Sequence, residues 1–162
     1  MFTMKALIVY YTMGGRTKKT AHAVASALTK YEVTFVPIEL PGNFFQRIQV
    51  FDDFEKGDFS LIENELNSLD AASHDLVFFG MPTYGNKPPG TFHEIMKRMK
   101  NFSGKKVVIF TTARFSGKGT LEYMKEKIEA EGAQVINQYN FKRFFWIGKK
   151  KAMEFGKEIN DL

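Results

Sequence analysis

The sequence predicts an α/β protein with a five-stranded parallel sheet covered by helices on both faces. Three observations predict it: short apolar runs recur along the chain, helical periodicity lies between them, and glycine-rich loops follow several of the runs. Runs that are apolar throughout are typical of strands buried on both faces. Because parallel neighbours need crossover connections, strands that alternate with helices favour a three-layer αβα sandwich.

The first part of the chain holds two predicted strands joined by a helix. Lys5–Tyr11 is a nearly continuous apolar run, and Glu32–Ile38 also has the composition of a strand. A glycine turn, Thr12-Met13-Gly14-Gly15-Arg16, follows the first strand. Apolar residues at helical spacing then indicate the connecting helix, namely Ala21, Val24, Ala25 and Leu28.

The second half continues the alternation with three more strands, at Asp75–Gly80, Lys106–Thr111 and Ala133–Asn140. The sequence Thr91-Phe92-His93-Glu94 has the pattern of a capping box, which predicts that a helix begins there. The inner face of this helix is predicted to consist of Phe92, Ile95, Met96 and Met99.

Two further helices complete the alternation. Leu121–Glu131 is predicted as a helix with Leu121, Met124 and Ile128 on its inner side. Gly132 is expected to end that helix, because glycine is the residue that most readily adopts the left-handed conformation after a C-cap. Lys149–Ile159 is predicted as the closing helix.

Residues 41–74 interrupt the regular alternation. The sequence Ser60-Leu61-Ile62-Glu63 has a capping-box pattern and predicts the helix between the second and third strands. Residues 41–59 show no clean periodicity, so we expect an irregular, aromatic-rich insertion there. Its apolar side chains are Phe44, Phe45, Ile48, Val50, Phe51, Phe54 and Phe59. We expect most of these phenylalanines to be buried, either within the chain or, in the bolder form, against a second copy in a homodimer.

Length and composition favour a single domain over residues 1–162. The absence of cysteine excludes disulfides, iron–sulfur clusters and thiol nucleophiles, and it favours a reducing, cytoplasmic location. The apolar runs are too short to span a bilayer, so no membrane insertion is expected. The net charge is +5, but residues 41–75 carry eight acidic and two basic side chains. Because no nucleic-acid-binding motif accompanies the basic remainder, no nucleic-acid partner is expected.

Three loops of unusual composition follow predicted strands, where ligands bind to parallel sheets. Thr12–Thr17 combines glycines, hydroxyls and a helix N-terminus, which together can hold a phosphate. In Gly80–Pro89, prolines stiffen a loop that presents Tyr84, which suits a planar ligand. Thr112–Gly119 adds an aromatic ring, two basic side chains and two glycines. The alternative at each loop is a structural turn without a ligand.

At these loops the sequence resembles the flavodoxin family. Thr12-x-Gly-Gly-Arg-Thr17 stands where flavodoxins carry their phosphate loop, and Gly80-x-Pro-Thr-Tyr84 is similar to the loop that places an aromatic ring on the flavin. Val108–Val135 is similar to the second flavin loop and the helix after it. The resemblance covers nearly the whole chain apart from residues 41–59. It implies the flavodoxin-like strand order 2-1-3-4-5 and FMN as the cofactor.

The resemblance also implies which residues contact the cofactor. The FMN phosphate would be held by the first loop, that is by Thr12, Met13, Gly14, Gly15, Arg16 and Thr17. Tyr84 would lie against one face of the flavin, beside Pro82, Thr83, Gly85 and Asn86. The third loop would contribute Ala113, Arg114, Phe115, Gly117 and Gly119, with Phe115 on the other flavin face. Two positions depart from the family pattern, since Gly14 replaces a hydroxyl residue and Arg16 adds a positive charge.

The remaining candidate residues are interpreted as structural. His22, His74 and His93 lack metal-ligand spacing, so solvated or capping roles are favoured and no metal is expected. Lys149-Lys150-Lys151 is interpreted as the solvated start of the last helix rather than a phosphate clamp. Trp146 is interpreted as a contact between the last strand and the last helix. No catalytic residue is assigned, because the strand-end loops contain neither a triad nor paired acids.

Three functions remain open from the sequence. The first is an electron carrier that uses FMN to transfer electrons between redox partner proteins, which the short chain without an added substrate domain favours. The second is a small NAD(P)H-dependent FMN oxidoreductase of the quinone or flavin reductase type. Basic loop residues favour this second function, namely Arg16, Lys87, Arg114 and Lys118. The third is a cofactor-less binding or regulatory domain that has kept the fold.

Overall fold

The computed structural model describes residues 3–142 and 148–162. Five strands make up its sheet: β1 (Met4–Thr12), β2 (Tyr31–Glu39), β3 (Leu76–Pro82), β4 (Lys106–Ala113) and β5 (Gln134–Lys142). All neighbouring strands are parallel, and their order is β2-β1-β3-β4-β5. The predicted sheet and strand order are confirmed.

Six helices connect or follow these strands: α1 (Arg16–Ser26), α2 (Phe44–Glu55), α3 (Glu63–Asn67), α4 (Thr91–Arg98), α5 (Lys118–Ala130) and α6 (Lys149–Asn160). They cover both faces of the sheet, so alternate residues of β1 enter two different cores. Leu7 lies in the core that α4 and α5 close, whereas Ile8 lies in the core that α1 and α6 close. The three-layer αβα sandwich is therefore confirmed. None of the described helices is long and apolar enough to cross a membrane.

Two central strands extend beyond their predicted ends and bring more residues to the sheet's C-terminal edge. β3 continues to Pro82 and β4 to Ala113, because Met81 pairs with Thr111 and Pro82 with Thr112 in the parallel ladder. The ends of these strands are therefore determined by backbone pairing with the neighbouring strand, which the apolar pattern of the sequence does not reveal. Helix α5 also begins earlier than predicted, at Lys118.

The expectation of an irregular insertion at residues 41–59 is wrong, because α2 occupies most of it. The helix begins with a capping box in which Gln46 N donates to Asn43 Oδ1 (3.0 Å) and Asn43 N donates to Gln46 Oε1 (2.7 Å). Its apolar side chains point in several directions: Phe54 is buried, whereas Phe44 and Phe45 are exposed. This spread explains why the sequence shows no single apolar stripe.

Both predicted capping boxes are wrong. Thr91 is the first helical residue of α4 and Gly90 is its N-cap, without a side-chain capping bond. Ser60 starts a single 3-10 turn, Ser60–Ile62, and its hydroxyl donates to Asp58 Oδ1 (2.7 Å). The predicted C-terminal stop is confirmed, because Gly132 follows the C-cap of α5 with φ of 87°.

A polar cluster ties β2 to β1 and α1 at the sheet edge. Tyr10 Oη donates to Glu39 Oε1 (2.8 Å), and Lys18 Nζ lies 3.0 Å from the same oxygen. The hydrogen bond from Lys18, with a further contribution from Tyr10, holds the pKa of Glu39 below its ordinary value. A carboxyl group whose pKa is lowered by folding stabilises the native state above its ordinary pKa, and this stabilisation is lost as the pH falls through the lowered value.

We therefore expect Glu39→Gln to reduce the acid sensitivity of the protein. Between about pH 6 and pH 3, the free energy of unfolding should fall less in Glu39→Gln than in the wild type. The difference should stay below about 1 kcal/mol, because the Glu39 side chain is partly exposed and solvent screens the ion pair. Urea unfolding at several pH values measures it, with Glu32→Gln on the same strand as the control. Parallel pH profiles for wild type and Glu39→Gln would contradict the expectation.

Candidate functional site

A pocket of about 370 Å³ opens where β1, β3 and β4 end. Ten of the residues that the sequence nominated line it: Thr12, Met13, Gly14, Arg16, Thr17, Pro82, Thr83, Tyr84, Ala113 and Arg114. The sheet thus brings segments far apart in the chain to one edge, as expected for a parallel sheet. Three further residues complete the lining: Phe44, Arg47 and Thr112.

The loop between β1 and α1 has the geometry of an anion site. Gly15 is the N-cap of α1 with φ of 93°, a left-handed conformation that glycine adopts without strain. No side chain caps this helix end, so the N–H groups of its first turn remain available for a ligand. A Cβ built on Gly14 or Gly15 would meet no atom within 4 Å, so both glycines face open space. One donor is already used, because Gly15 N donates to Thr12 Oγ1 (2.9 Å).

Two pairs of threonine hydroxyls tie the ligand loops to the end of β4. Thr17 Oγ1 lies 2.9 Å from Thr112 Oγ1, and Thr83 Oγ1 lies 2.7 Å from Thr111 Oγ1. Within each pair only one hydroxyl hydrogen is needed for the bond, so the second hydroxyl can still donate to a ligand. Thr112, which the sequence interpretation did not nominate, therefore forms part of the pocket floor.

Tyr84 forms a side wall of the pocket. Its ring packs edge to face against Tyr11 and Phe51, with centroid distances of 6.4 and 5.8 Å. Burial raises the pKa of Tyr84 to about 12, so its hydroxyl stays protonated near neutral pH. The ring is thus held in place from the protein side while it lines the pocket. This arrangement suits a planar ligand that stacks on a fixed aromatic ring.

Six nominated residues lie outside the pocket lining, and five of them are glycine or asparagine residues. Gly85 and Asn86 both have positive φ, at the centre of a tight turn in which Tyr84 N donates to Lys87 O (2.8 Å). A Cβ on Gly119 would lie 3.0 Å from Asn86 O, so Gly119 lets α5 approach that turn. The remaining positions outside the lining are Gly15, Gly117 and Phe115.

Gly80 and Gly117, which belong to the second and third loops, make room for neighbouring side chains. A Cβ on Gly80 would lie 2.3 Å from Phe110 Cζ, and a Cβ on Gly117 would lie 2.3 Å from Thr111 Cγ2. Phe115 is 65% exposed, and its ring centroid lies 5.8 Å from Arg114 Cζ. Phe115 therefore contacts Arg114, which lines the pocket, but does not line the pocket itself.

Positive charge dominates the pocket. Arg16, Arg47 and Arg114 line it, and the described lining residues include no aspartate or glutamate. The two other cations nominated from the sequence are placed elsewhere. Lys87 lines a separate, smaller pocket together with His93 and Tyr123, whereas Lys118 lies 3.9 Å from Glu122 in an exposed ion pair. Arg47, from α2, was missed because its segment was not predicted to be helical.

Two of the histidines and the lysine run have structural roles close to those expected. His22 stacks on Phe35 at a centroid distance of 4.3 Å, and His93 is hydrogen-bonded to Tyr123 Oη. Burial, followed by the charges of Lys127 and Lys87, lowers the pKa of His93. Within residues 3–142 and 148–162, no three His, Asp or Glu side chains are grouped to hold a metal ion. Lys149, Lys150 and Lys151 form the exposed first turn of α6. Trp146 lies outside the described residues.

The pocket fits a ligand with a planar ring and an anionic phosphate. The uncapped first turn of α1 and the open glycine backbone match the phosphate, and the fixed Tyr84 ring matches the planar part. The Nε atom of Arg47 is buried without a hydrogen-bond partner among the described residues, which is consistent with a missing anionic acceptor. Fold and pocket together define a protein of the flavodoxin-like class, with a site that suits a planar, phosphorylated cofactor such as FMN.

Comparison with protein families identifies the chain more narrowly. Residues 4–145 match the family described as NADPH-dependent FMN reductase. The match covers most of the chain, so the protein belongs to this family. The comparison with curated proteins found no match.

Solved structures with the same fold include a flavodoxin, a flavoprotein in complex with FMN and a flavone reductase. A flavodoxin from the domain Archaea is 19% identical, with a TM-score of 0.61 over 98% of this chain and 97% of that chain. A flavoprotein from Lactobacillus acidophilus in complex with FMN is 22% identical, with a TM-score of 0.57 over 85% and 93% of the two chains. A flavone reductase is 15% identical, with a TM-score of 0.61 over 98% of this chain and 62% of that chain. At these identities the comparisons show the fold.

Proposed function

We propose that this chain is a small NAD(P)H-dependent oxidoreductase that uses bound FMN as its redox group. When bound, FMN supplies a two-electron acceptor for the hydride of a reduced nicotinamide. The second substrate, which would accept the electrons from the reduced FMN, would then be a small molecule of the quinone or flavin type. Membership of a family described as NADPH-dependent FMN reductase supports this proposal over the electron-carrier function. It also disfavours the third hypothesis, a domain that has lost its cofactor.

The observation that carries the proposal is the charge of the pocket. Arg16, Arg47 and Arg114 line it without any aspartate or glutamate among the described lining residues. A cleft lined by one sign of charge concentrates ligands of the opposite sign and accelerates their association. NAD(P)H carries a pyrophosphate and, in its phosphorylated form, a further phosphate. Arg16 and Arg114 are exposed and can therefore meet an incoming dinucleotide.

We infer the following roles for the site residues. The loop at residues 12–17 binds the FMN phosphate with backbone N–H groups, and Tyr84 stacks on one face of the ring. Pro82, Thr83 and Ala113 shape the pocket beside it. Phe115 is the candidate for the second ring face, since it follows Arg114 at the end of β4. We assign all of these residues to a single domain comprising residues 1–162.

The proposal predicts rapid reduction of the FMN-loaded protein by NADPH. In anaerobic stopped-flow experiments, saturating NADPH should remove the oxidised flavin absorbance within seconds or faster. Arg114→Gln should raise the NADPH concentration needed for half-maximal reduction, because it removes one exposed positive charge at the pocket. Reduction that takes many minutes with both NADPH and NADH, while dithionite reduces the same sample at once, would contradict the proposal.

The electron-carrier function is a second candidate, which an exposed apolar surface favours. Phe44, Phe45 and Ile48 on α2 are 66%, 79% and 44% exposed, and Phe44 also lines the pocket. Clustered apolar side chains beside a redox site are suited to docking a protein partner. Slow reduction by NAD(P)H in the stopped-flow experiment would support this function. Sedimentation at micromolar concentration tests the related proposal that the surface joins two copies of the chain, which a clean monomer would contradict.

A further inference from the structure

One side of α2 forms a wall of the FMN pocket. Phe44 and Arg47, three residues apart on the helix, both line the pocket. One turn further, the ring of Phe51 lies 5.8 Å from that of Tyr84, nearly perpendicular to it. At the end of the helix, Gly90 N donates to Glu55 Oε1 (3.3 Å). The C-terminal half of α2 is thus attached to the β3–α4 loop that carries Tyr84.

Arg47 is the least exposed of the three arginines that line the pocket. Arg16 and Arg114 are exposed and can be hydrated, whereas Arg47 is partly buried. Its Nε atom is shielded from solvent and has no hydrogen-bond acceptor among the described residues. Leaving a buried charged donor without an acceptor destabilises a protein more than leaving a neutral donor does. An anionic ligand in the pocket would remove this deficit.

We propose that Arg47, presented by α2, binds the phosphate group of FMN together with the 12–17 loop of the same pocket. In this arrangement the 12–17 loop binds the phosphate with backbone N–H groups, and Arg47 binds it with a guanidinium. A guanidinium suits a phosphate because its N–H donors form a planar fork. The resident cofactor is favoured over an incoming dinucleotide as the ligand, because the unpartnered Nε atom is shielded from solvent. The proposal depends on FMN binding and is independent of which electron donor reduces the protein.

In this arrangement α2 contributes, together with the 12–17 loop, to distinguishing FMN from riboflavin. The two flavins share the ring and the ribityl chain, so only contacts with the phosphate can separate them. A hydrogen bond to a charged group contributes enough to change affinity by about ten-fold or more. The sequence departs from the flavodoxin pattern at Gly14, where a hydroxyl donor is lost, and Arg47 supplies an additional donor to the same group.

The test is titration of the apo-protein with FMN and, separately, with riboflavin, followed by quenching of flavin fluorescence. Arg47→Gln should weaken FMN binding about ten-fold or more, while riboflavin binding changes by less than about two-fold. Arg47→Lys should retain part of the preference for FMN over riboflavin, since lysine keeps the positive charge but lacks the planar fork of N–H donors. Lys56→Gln is the matched control, because it removes one positive charge from the other end of α2 and leaves the pocket lining unchanged.

Each other outcome overturns the proposal in a recognisable way. Equal losses for FMN and riboflavin would show that Arg47 supports the wall of the pocket and does not read the phosphate. Unchanged FMN affinity with a higher NADPH requirement would assign the guanidinium to the incoming dinucleotide. Circular dichroism of Arg47→Gln separates either result from a loss of folding. If the wild type itself fails to prefer FMN over riboflavin, then the premise of a phosphate site fails first.

Discussion

Tyr84→Ala should weaken FMN binding by about 1–3 kcal/mol, which corresponds to a roughly 5- to 150-fold higher dissociation constant. The magnitude follows from the stacking of a planar ring on an aromatic side chain that Tyr11 and Phe51 already hold in position. Tyr84→Phe should bind FMN nearly as well as the wild type, because it keeps the ring and removes only the hydroxyl. Titration of apo-protein with FMN measures both variants.

Two controls separate stacking from structural damage in this experiment. The thermal unfolding of Tyr84→Ala without ligand measures the stability lost with the contacts to Tyr11 and Phe51. These contacts stabilise the folded protein whether or not FMN is present. Riboflavin should lose as much affinity as FMN, since stacking does not involve the phosphate. If Tyr84→Ala binds FMN as tightly as the wild type does, Tyr84 is a structural residue and the ring of the cofactor lies elsewhere.

The reduction potential of the bound flavin should lie well above that of a flavodoxin with an acidic site. In typical flavodoxins, as the family resemblance implies, acidic residues around the flavin disfavour its fully reduced anion. Here the charged side chains among the described lining residues are three arginines, with no aspartate or glutamate, so the local charge favours the reduced anion. A unit charge a few ångströms away contributes about 1 kcal/mol in water and more in a partly dry site. Since ~1.4 kcal/mol equals ~59 mV for one electron, we expect the second one-electron potential to rise by about 50–150 mV.

Potentiometric titration tests this expectation directly. Arg114→Gln should lower the potential by about 20–60 mV, and added salt should reduce the difference between variant and wild type because it screens exposed charge. Lys150→Gln at the start of α6 is the control, since Lys150 does not line the pocket. A very low second potential in the wild type, together with no effect of Arg114→Gln, would contradict the electrostatic argument. Such a potential would also favour the electron-carrier function.

The sequence was sufficient for the sheet and for two of the pocket's walls. Ala6–Tyr11 is apolar throughout because both faces of β1 are buried, and the run is short enough to predict a strand rather than a helix. The 12–17 loop and the loop that carries Tyr84 could be nominated because their composition is unusual at the ends of strands, and the sheet brings those ends together.

The third wall could not be predicted, because α2 has no single apolar side. Phe44 and Phe45 are exposed while Phe54 is buried, so helical periodicity is obscured in the sequence. The importance of Arg47 depends on the direction in which α2 presents it, and only the folded arrangement shows this. Gly80 and Gly117 illustrate the same limit, since a glycine that admits a ligand and one that admits a neighbouring side chain are identical in sequence.

The threonine pairs at the end of β4 have a consequence for the entropy of ligand binding. Thr17 anchors the phosphate loop to Thr112, and Thr83 anchors the aromatic loop to Thr111, so both loops are joined to adjacent residues of one strand. A site whose loops must be ordered by the ligand loses affinity to that ordering. Here the loops are preorganised by the sheet itself, and the cofactor enters a cavity whose shape exists before it arrives. Affinity at this site therefore reports contacts with the ligand, largely free of a contribution from loop folding.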